Sequence, residues 1–280
     1  KMSKSKGNVV TPIDLFEQYG SDAVRYWAAS ARPGVDTAFS EDQMKVGRKL
    51  ATKLLNATKF VLGAGDVSAD VVPTEPLDVA MLQRLSVVIN DATTAFETFD
   101  YARALERTES FFWWFCDDYL ELVKMRAYGT TDISASARAA LQRALSVMQR
   151  LFAPHIPFAT EEVWSWWKQN SIHLSQWPTV GEITGDTKHM DAAELMLDCA
   201  CNVIGVIRRT KTEAKLSQRA EVEYTSVSAT DAQIALLKAC IGDLQNAGVV
   251  PAIEFVSHTS GDSVAHIVTT VRLAPVVDAK

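Results

Sequence analysis

The spacing of apolar and polar positions predicts helices over most of the chain. Thr11, followed by proline, has the residue type that starts a helix, which should end at Gly20, and a second short helix follows directly. Ser40 and Gln43 have the spacing of a capping box, so we expect a long helix from there to about residue 62. A segment rich in glycine and proline then separates these helices from the next region.

The region from about residue 77 to residue 167 has apolar positions at helical spacing almost throughout. We expect antiparallel helices with short connections, which pack as a bundle. Trp113, Trp114, Trp164 and Trp167 lie on these helices. We predict that the four tryptophans are mostly structural and that at least two of them are deeply buried.

The last third of the chain has a different pattern, in which one long helix is followed by segments of alternating polar and apolar residues. Such alternation is typical of strands, and a capped helix lies between the first two segments. The predicted fold class is therefore mainly α, with a helix bundle followed by a small α+β domain. The predicted domains are residues 1–40, 41–185 and 186–280.

The composition is ordinary for a folded protein, since hydrophobic residues make up 48% of the 280 residues and charged residues 22%. No apolar run approaches the ~18 residues that a membrane span needs, so we expect no membrane contact. The net charge of −6 means that a binding site for a polyanion must be a local basic surface. The four cysteines and five histidines lack the spacing of metal ligands, and we predict no protein-bound metal.

The first eight residues, KMSKSKGN, form a basic segment without an acidic residue. Lys1 and Lys4 are interleaved with Ser3 and Ser5, and flexible cations with hydroxyl donors can converge on the phosphates of one polyanion. A solvated basic terminus would have the same composition. The residues of this segment therefore leave both interpretations open.

A second basic surface follows from the geometry of the long helix that starts after Ser40. At ~100° per residue, one side of this helix is mainly apolar, and the other side carries basic residues. Asn56, Lys59 and Phe60 stand at i, i+3 and i+4, and they bring together the amide, cation and ring that suit an unpaired nucleotide. The basic residues could also be a solvated face, and Phe60 could turn inward against the following linker. We call this side the polar face; its members are Lys45, Arg48, Lys49, Lys53, Asn56, Lys59 and Phe60.

A third basic cluster lies near the end of the last long helix. It could contact RNA phosphates or be an ordinary solvated face, since Glu213 lies inside it. The candidate RNA contacts in this cluster are Arg208, Arg209 and Lys211, with Lys215 and Arg219 beyond them.

The segment KMSKSKGNVVTP, followed by GSDAVRYWAASARPG and a helix bundle, resembles the class I aminoacyl-tRNA synthetases. Among those that handle branched aliphatic amino acids, the chain is most similar to the valine enzymes. FFWWFCDDYLELVKMRAYG, LFAPHIPFATEEVW and IRRTKTEAKLSQRAEVE support that choice, and the resemblance thins after about Tyr224. An isoleucine or leucine enzyme and a non-catalytic helical interaction module are the alternatives.

The resemblance implies that the opening loop binds ATP, together with Mg²⁺, for condensation with valine to valyl-adenylate. Lys4, assisted by Lys1, would act in catalysis by stabilising the negative charge that moves onto the departing pyrophosphate. The implied ATP-binding residues are Lys1, Met2, Ser3, Lys4, Ser5 and Gly7.

The resemblance also implies that residues 1–40 include a stem-contact segment and that the helix bundle binds the anticodon loop and stem of tRNA(Val). The implied RNA-binding residues are the polar face together with Arg208, Arg209 and Lys211. An enzyme of this kind would be cytoplasmic, and we expect a monomer.

Three parts of such an enzyme are missing from these 280 residues. They are the His-x-Gly-His motif, the nucleotide-binding Rossmann core and the editing domain. We therefore expect a C-terminal fragment of a larger synthetase, which starts at the catalytic loop and is inactive by itself.

Overall fold

The first helices begin and end close to where the sequence predicts them. The computed structural model describes residues 5, 12–184, 191–258 and 267–274. Gly20 has a positive φ of 88° and follows the end of the first helix, a position that favours glycine. The amide of Gln43 donates to the hydroxyl of Ser40 at 3.3 Å, which is one half of the predicted capping box. These helices are α1 (Pro12–Tyr19), α2 (Ser21–Ala29) and α3 (Glu41–Gly63).

Long helices form the middle of the chain, and a turn of π-helix at Phe115–Tyr119 joins two of them. The apolar pattern predicts one continuous helix there, because a single π turn shifts the helical spacing too little to be recognised in a sequence. Pro157 starts the last helix of this group. The group consists of α4 (Pro76–Glu97), α5 (Tyr101–Trp114), α6 (Leu120–Ala127), α7 (Asp132–Phe152) and α8 (Pro157–Ser165).

An α+β region follows the bundle, so the predicted fold class is confirmed. Its described strands form one sheet in the order β2-β1-β3, with β1 parallel to β2 and antiparallel to β3. Thr230 and Gln233 form a capping box after β1, and a break at Cys240 divides the predicted single helix into two. The elements are α9 (Gly181–Thr184), α10 (Asp191–Glu213), β1 (Val222–Ala229), α11 (Asp231–Ala239), α12 (Ile241–Gly248), β2 (Ile253–Ser257) and β3 (Val268–Leu273).

The chain divides into two compact units, while the predicted domains of residues 1–40, 41–185 and 186–280 stay a prediction. α4, α5 and α7 each have residues in both units, so a boundary placed between helices cannot separate them. The first unit comprises residues 1–63, 86–112 and 143–182, and the second comprises residues 64–85, 113–142 and 183–280.

In the first unit, the close packing of α2 on α3 depends on Gly47. A Cβ atom at this position would lie 2.6 Å from Cβ of Tyr26, which is too close for any side chain. Tyr26 is buried, and its hydroxyl donates to the Glu109 carboxylate at 2.7 Å. The missing side chain of Gly47 therefore lets the apolar side of α3 pack against α2.

The tryptophans of the bundle are less buried than predicted. Trp164 is 5% exposed, whereas Trp113, Trp114 and Trp167 are half-buried. The prediction of at least two deeply buried tryptophans is therefore wrong. Because an indole is large, it is rarely buried completely between helices. Smaller rings occupy the deepest positions, among them Phe112, Phe115, Tyr119 and Phe152.

Candidate nucleic-acid interface

The two sides of α3 differ in exposure as the helical wheel predicts. Its buried residues are Met44, Gly47, Leu50, Leu54, Ala57, Thr58 and Val61. On the polar face, Lys53 and Phe60 are half-buried, and the remaining five residues are exposed: Lys45, Arg48, Lys49, Asn56 and Lys59. Within the first unit, the polar face is therefore accessible to a ligand.

Two cations at the start of the polar face have partners in the first unit. Lys45 Nζ lies 2.9 Å from Asp42 Oδ1, and this hydrogen bond raises the pKa of the lysine. Both side chains are exposed, so the pair contributes little to stability. Arg48 donates to the backbone carbonyl of Gln18 at 3.1 Å. Asp42 therefore offsets one positive charge of the polar face, while the charge of Arg48 is retained.

The end of α3 brings the polar face next to an aromatic residue that follows α8. Lys59 Nζ lies 5.9 Å from the centroid of the Trp166 ring, which is within the range of a cation–π interaction. Trp166 is 36% exposed, and its Nε1–H donates to the Glu162 carboxylate at 3.0 Å. Lys59 thus connects the predicted nucleotide-binding residues with a second aromatic side chain.

Buried polar groups hold α8 beside α3. The carboxylate of Asp22, on α2, accepts hydrogen bonds from the backbone N–H groups of residues 158 and 159 at 3.2 and 2.6 Å, and so caps the start of α8. Near the other end of α8, buried Gln149 donates to the Thr58 hydroxyl at 3.1 Å. Gln149 also accepts a hydrogen bond from Nε1 of Trp167 at 3.2 Å. Residues from α2, α3 and α7 therefore fix the start of α8 and the side chain of Trp167, which follows Trp166 in the chain.

Sequence reasoning missed Trp166, because the cluster WSWW predicts a bundle core. A signal was nevertheless present. Trp166 stands two residues after Trp164, or about 200° further round a helix, so a helix that buries one of them exposes the other. The structure shows this arrangement, with Trp164 buried and Trp166 exposed.

The predicted ATP-binding residues lie outside the described residues, except for Ser5, which is exposed. The roles of Lys1, Met2, Ser3, Lys4 and Gly7 therefore stay predictions.

The prediction that Lys211 contacts RNA is wrong, because its side chain is not accessible. Its side chain is 1% exposed, and its ammonium group donates to the backbone carbonyls of Gln218 at 3.0 Å and Gly248 at 2.7 Å. Burial lowers the pKa of this lysine. Its charge serves to hold the chain after α10 and the end of α12 inside the second unit.

The two arginines of this third cluster differ from each other. Arg208 is half-buried and donates to the backbone carbonyl of Asp117, which belongs to the π-helical turn. Arg209 is exposed. The cluster therefore offers less accessible charge than its sequence indicates.

Among the described residues, no group of three potential ligands could hold a metal ion. Burial raises the pKa of the Cys201 and Cys240 thiols to about 12, so both stay protonated at neutral pH. No helix within the described ranges is long and apolar enough to cross a bilayer.

Two family models match the chain on either side of α3. The model of the anticodon-binding domain of tRNA ligase matches residues 78–226. The chain belongs to the tRNA ligases that carry this domain. The model of class I tRNA synthetases (I, L, M and V) matches residues 1–40 of the chain. α3 lies between the two matched ranges, so neither family model covers its polar face.

Valine–tRNA ligases are similar to the chain over nearly all of its residues. The valine–tRNA ligase of Thermobifida fusca is 53% identical over 98% of the chain, and that of Salinispora tropica is 50% identical over 91%. The chain spans 31% and 32% of the lengths of these relatives. It therefore corresponds to about a third of either protein.

A solved structure shows the same type of fold. It is the LeuRS of Agrobacterium radiobacter K84, in a ternary complex with tRNA and LeuAMS. The match has a TM-score of 0.52 and 20% identity, and it covers 65% of this chain and 22% of the LeuRS chain.

Proposed function

We propose that this chain is part of an enzyme that attaches valine to tRNA(Val). The valine carboxylate attacks the α-phosphate of ATP, which releases pyrophosphate and leaves valyl-adenylate. A hydroxyl of the terminal ribose of the tRNA then takes over the valyl group, and AMP leaves. Support comes from the 53% identity with a valine–tRNA ligase over 98% of the chain. We further propose that the enzyme is a cytoplasmic monomer.

Binding of the anticodon loop and stem is assigned to the polar face of α3. The observation that carries this assignment is the exposure of Asn56 and Lys59 next to half-buried Phe60, on a face whose other members are cations. An aromatic ring stacks on an unpaired base, an amide pairs with a base edge, and cations bind phosphates. Arg209 is a candidate for a further phosphate contact because it is exposed.

Adenylate formation is assigned to the opening loop, with Mg²⁺-bound ATP as the substrate. Lys4 and Lys1 would stabilise the charge on the departing pyrophosphate, because fixed cations favour the state in which negative charge has moved onto it. Met2, Ser3, Ser5 and Gly7 would bind ATP through side-chain hydroxyl groups and the backbone. The 280 residues by themselves should not form valyl-adenylate, because they contain neither the His-x-Gly-His motif nor a nucleotide-binding core.

The loop assignment is tested with Lys4→Ala in the full-length enzyme. We expect valine-dependent pyrophosphate exchange to slow by roughly 10²-fold or more, as when one preorganised transition-state donor is removed. Lys45→Ala, on the polar face, is the matched control and should leave the exchange rate unchanged. Exchange at a near-normal rate in Lys4→Ala would refute the assignment.

The anticodon assignment is tested with Phe60→Ala in the full-length enzyme. Loss of a stacked base should weaken binding by ~1–3 kcal/mol for tRNA(Val) with its own anticodon, and by less when the anticodon is exchanged. Equal losses for the two RNAs would show that the polar face binds only the backbone.

The choice of tRNA(Val) as the partner is tested by the affinity of the enzyme for valine, isoleucine and leucine tRNAs at one salt concentration. The tRNA that binds most tightly identifies the amino-acid class of the enzyme. Equal binding of all three would contradict tRNA(Val) as the partner.

A further inference from the structure

We infer that Trp166 is a second base-stacking residue, so that the RNA surface extends from α3 to the end of α8. This inference rests on the proposed anticodon binding and adds a residue on a different helix. It starts from the exposure of Trp166, which at 36% is high for a side chain that is mostly buried in folded proteins.

A hydrogen bond restrains the indole of Trp166 while part of the ring stays exposed to solvent. Its Nε1–H donates to Glu162, one helical turn earlier, at 3.0 Å. The neighbouring Trp167 is anchored by its own hydrogen bond to buried Gln149 at 3.2 Å. A ring restrained by a hydrogen bond, next to an anchored neighbour, loses less conformational entropy when a base stacks on it than a freely rotating ring does, which favours binding.

The charges around Trp166 fit a nucleotide better than an apolar partner. Lys59 Nζ lies 5.9 Å from the Trp166 ring centroid, and Lys168 Nζ lies 4.2 Å from the Trp167 ring centroid. Glu162 is the acid in contact with the Trp166 ring, and the hydrogen bond from Nε1 engages its carboxylate. Lys59 lies beside the Trp166 ring, and Lys168 lies beside the ring of the next residue, so cations are available for the phosphates that flank a stacked base.

A purely structural role would explain the same contacts differently. The cation–π pair of Lys59 and Trp166 could simply hold α3 against α8, in which case a base never touches the indole. The two roles differ in their consequences, because a structural pair affects stability whereas a stacking residue affects one nucleotide of the RNA.

The test uses the full-length enzyme and tRNA(Val) transcripts with 2-aminopurine at single positions of the anticodon loop, because stacking on an aromatic ring changes the fluorescence of this base. We expect Trp166→Ala to weaken binding about 5- to 150-fold. It should also abolish the fluorescence change at one loop position, and this position should differ from the one affected by Phe60→Ala. Trp166→Phe, which keeps an aromatic face, should retain most of both signals.

The matched control is Phe158→Ala, because Phe158 is an aromatic residue at the other end of α8 and is 64% exposed. It should bind RNA like the wild type. If Trp166→Ala shows normal binding and normal fluorescence while Phe60→Ala loses both, the stacking role of Trp166 is refuted and that of Phe60 is not. Normal behaviour of both variants would also refute base reading by the polar face. If Trp166→Ala is unstable, Trp166→Gln, which keeps a longer side chain and a hydrogen-bond donor without an aromatic face, provides the same test.

Discussion

The two compact units use their basic residues in opposite ways. In the first unit, α3 keeps its cations at the surface, and the polar groups beneath it, Thr58 and Gln149, are uncharged. In the second unit, Lys211 and Arg126 are buried, with backbone carbonyls and carboxylates as their partners. A basic residue in a sequence therefore indicates a binding surface only where no later segment of the chain covers it.

The hydrogen bonds of Lys211 show which segments of the protein cover its side chain. The acceptors are carbonyls 7 and 37 residues further along the chain, so the segment after α10 and the end of α12 both return to this side chain. On the polar face of α3, by contrast, Lys45 and Arg48 bond to groups at the surface.

Arg126 is a buried cation of the second unit that binds two carboxylates. It forms hydrogen bonds of 2.9 Å with both carboxylate oxygens of Asp78, and of 3.0 and 3.1 Å with those of Asp243. The side chains of Arg126 and Asp78 are 7% and 0% exposed, and Asp78 also accepts hydrogen bonds from Tyr119 and Ser136. One guanidinium group therefore joins α4, α6 and α12.

The largest expected effect is that of Arg126→Met. Removal of the cation leaves two carboxylates buried without their partner, which should lower the local free energy of opening by about 3–5 kcal/mol. The measurement is native-state hydrogen exchange of α12. The exposed Arg209→Met is the matched control and should change the free energy by less than about 0.5 kcal/mol. A loss below 1 kcal/mol for Arg126→Met would show that the buried network is dispensable.

Lys211→Ala is expected to have the next largest effect. Two backbone carbonyls lose a buried donor, and the cost should be about 2–3 kcal/mol in the hydrogen exchange of α10 and α12. The affinity for tRNA should stay unchanged at conditions where the variant is folded, because the ammonium group is not accessible. A selective loss of RNA binding without a loss of stability would restore Lys211 to the RNA surface.

Acidification should change the stability of the two units in opposite directions, because each buries a group whose pKa is shifted strongly within the acidic range. Burial, with a smaller effect of the Arg25 charge, lowers the pKa of His155 in the first unit to about 4, from an ordinary value of 6.5. Burial raises the pKa of Asp243 in the second unit to about 6, from 3.8. Asp243 shares the Arg126 guanidinium with Asp78, so its negative charge is only partly balanced.

The signs of the two contributions are opposite. The unfolded chain protonates His155 near pH 6.5 and the folded chain near pH 4, so stability from this group is lost as the pH falls through that window. Stability from protonated Asp243 is complete below pH 3.8 and is lost as the pH rises through 6. Between pH 7 and pH 4.5 we expect about 2 kcal/mol of loss near His155 and about 2 kcal/mol of gain near Asp243.

The measurement is hydrogen exchange of α8 and α12 at the two pH values, corrected for intrinsic exchange rates. His155→Gln and Asp243→Asn each remove one titrating group and should abolish the corresponding difference from the wild type. Changes of the same sign in both helices, or changes that persist in the variants, would contradict the assignment to these residues.

Local features of the fold were predictable from the sequence, and contacts over long distances were not. The capping pairs at Ser40 and Thr230 involve residues three apart, so the sequence shows both partners together. The cap of α8 comes from Asp22, which is 137 residues before the farther amide group that it binds. No local pattern relates these residues.

The same distinction holds for the candidate interface. The exposure of the polar face was predictable because a helical wheel needs only the helix itself. The burial of Lys211 depends on Gly248, and the surroundings of Lys59 depend on Trp166, which belongs to another helix. Amphipathicity therefore identifies which side of a helix is exposed, while tertiary contacts decide which exposed residues form one site.

The smallest expected effects are changes in the salt dependence of tRNA binding when one exposed cation of each unit is replaced. Lys49→Ala removes a charge from the polar face, and we expect it to weaken the binding of all tRNAs alike. The slope of log K against log salt should fall by about 0.7–0.9, because roughly one counterion fewer is released on binding. Arg209→Ala removes an exposed charge from a cluster in which the neighbouring cations have intramolecular partners, and its slope should change by less. The measurement is tRNA(Val) affinity of the full-length enzyme at several salt concentrations. A larger slope change for Arg209→Ala than for Lys49→Ala would reverse the comparison and make the end of α10 the main phosphate contact.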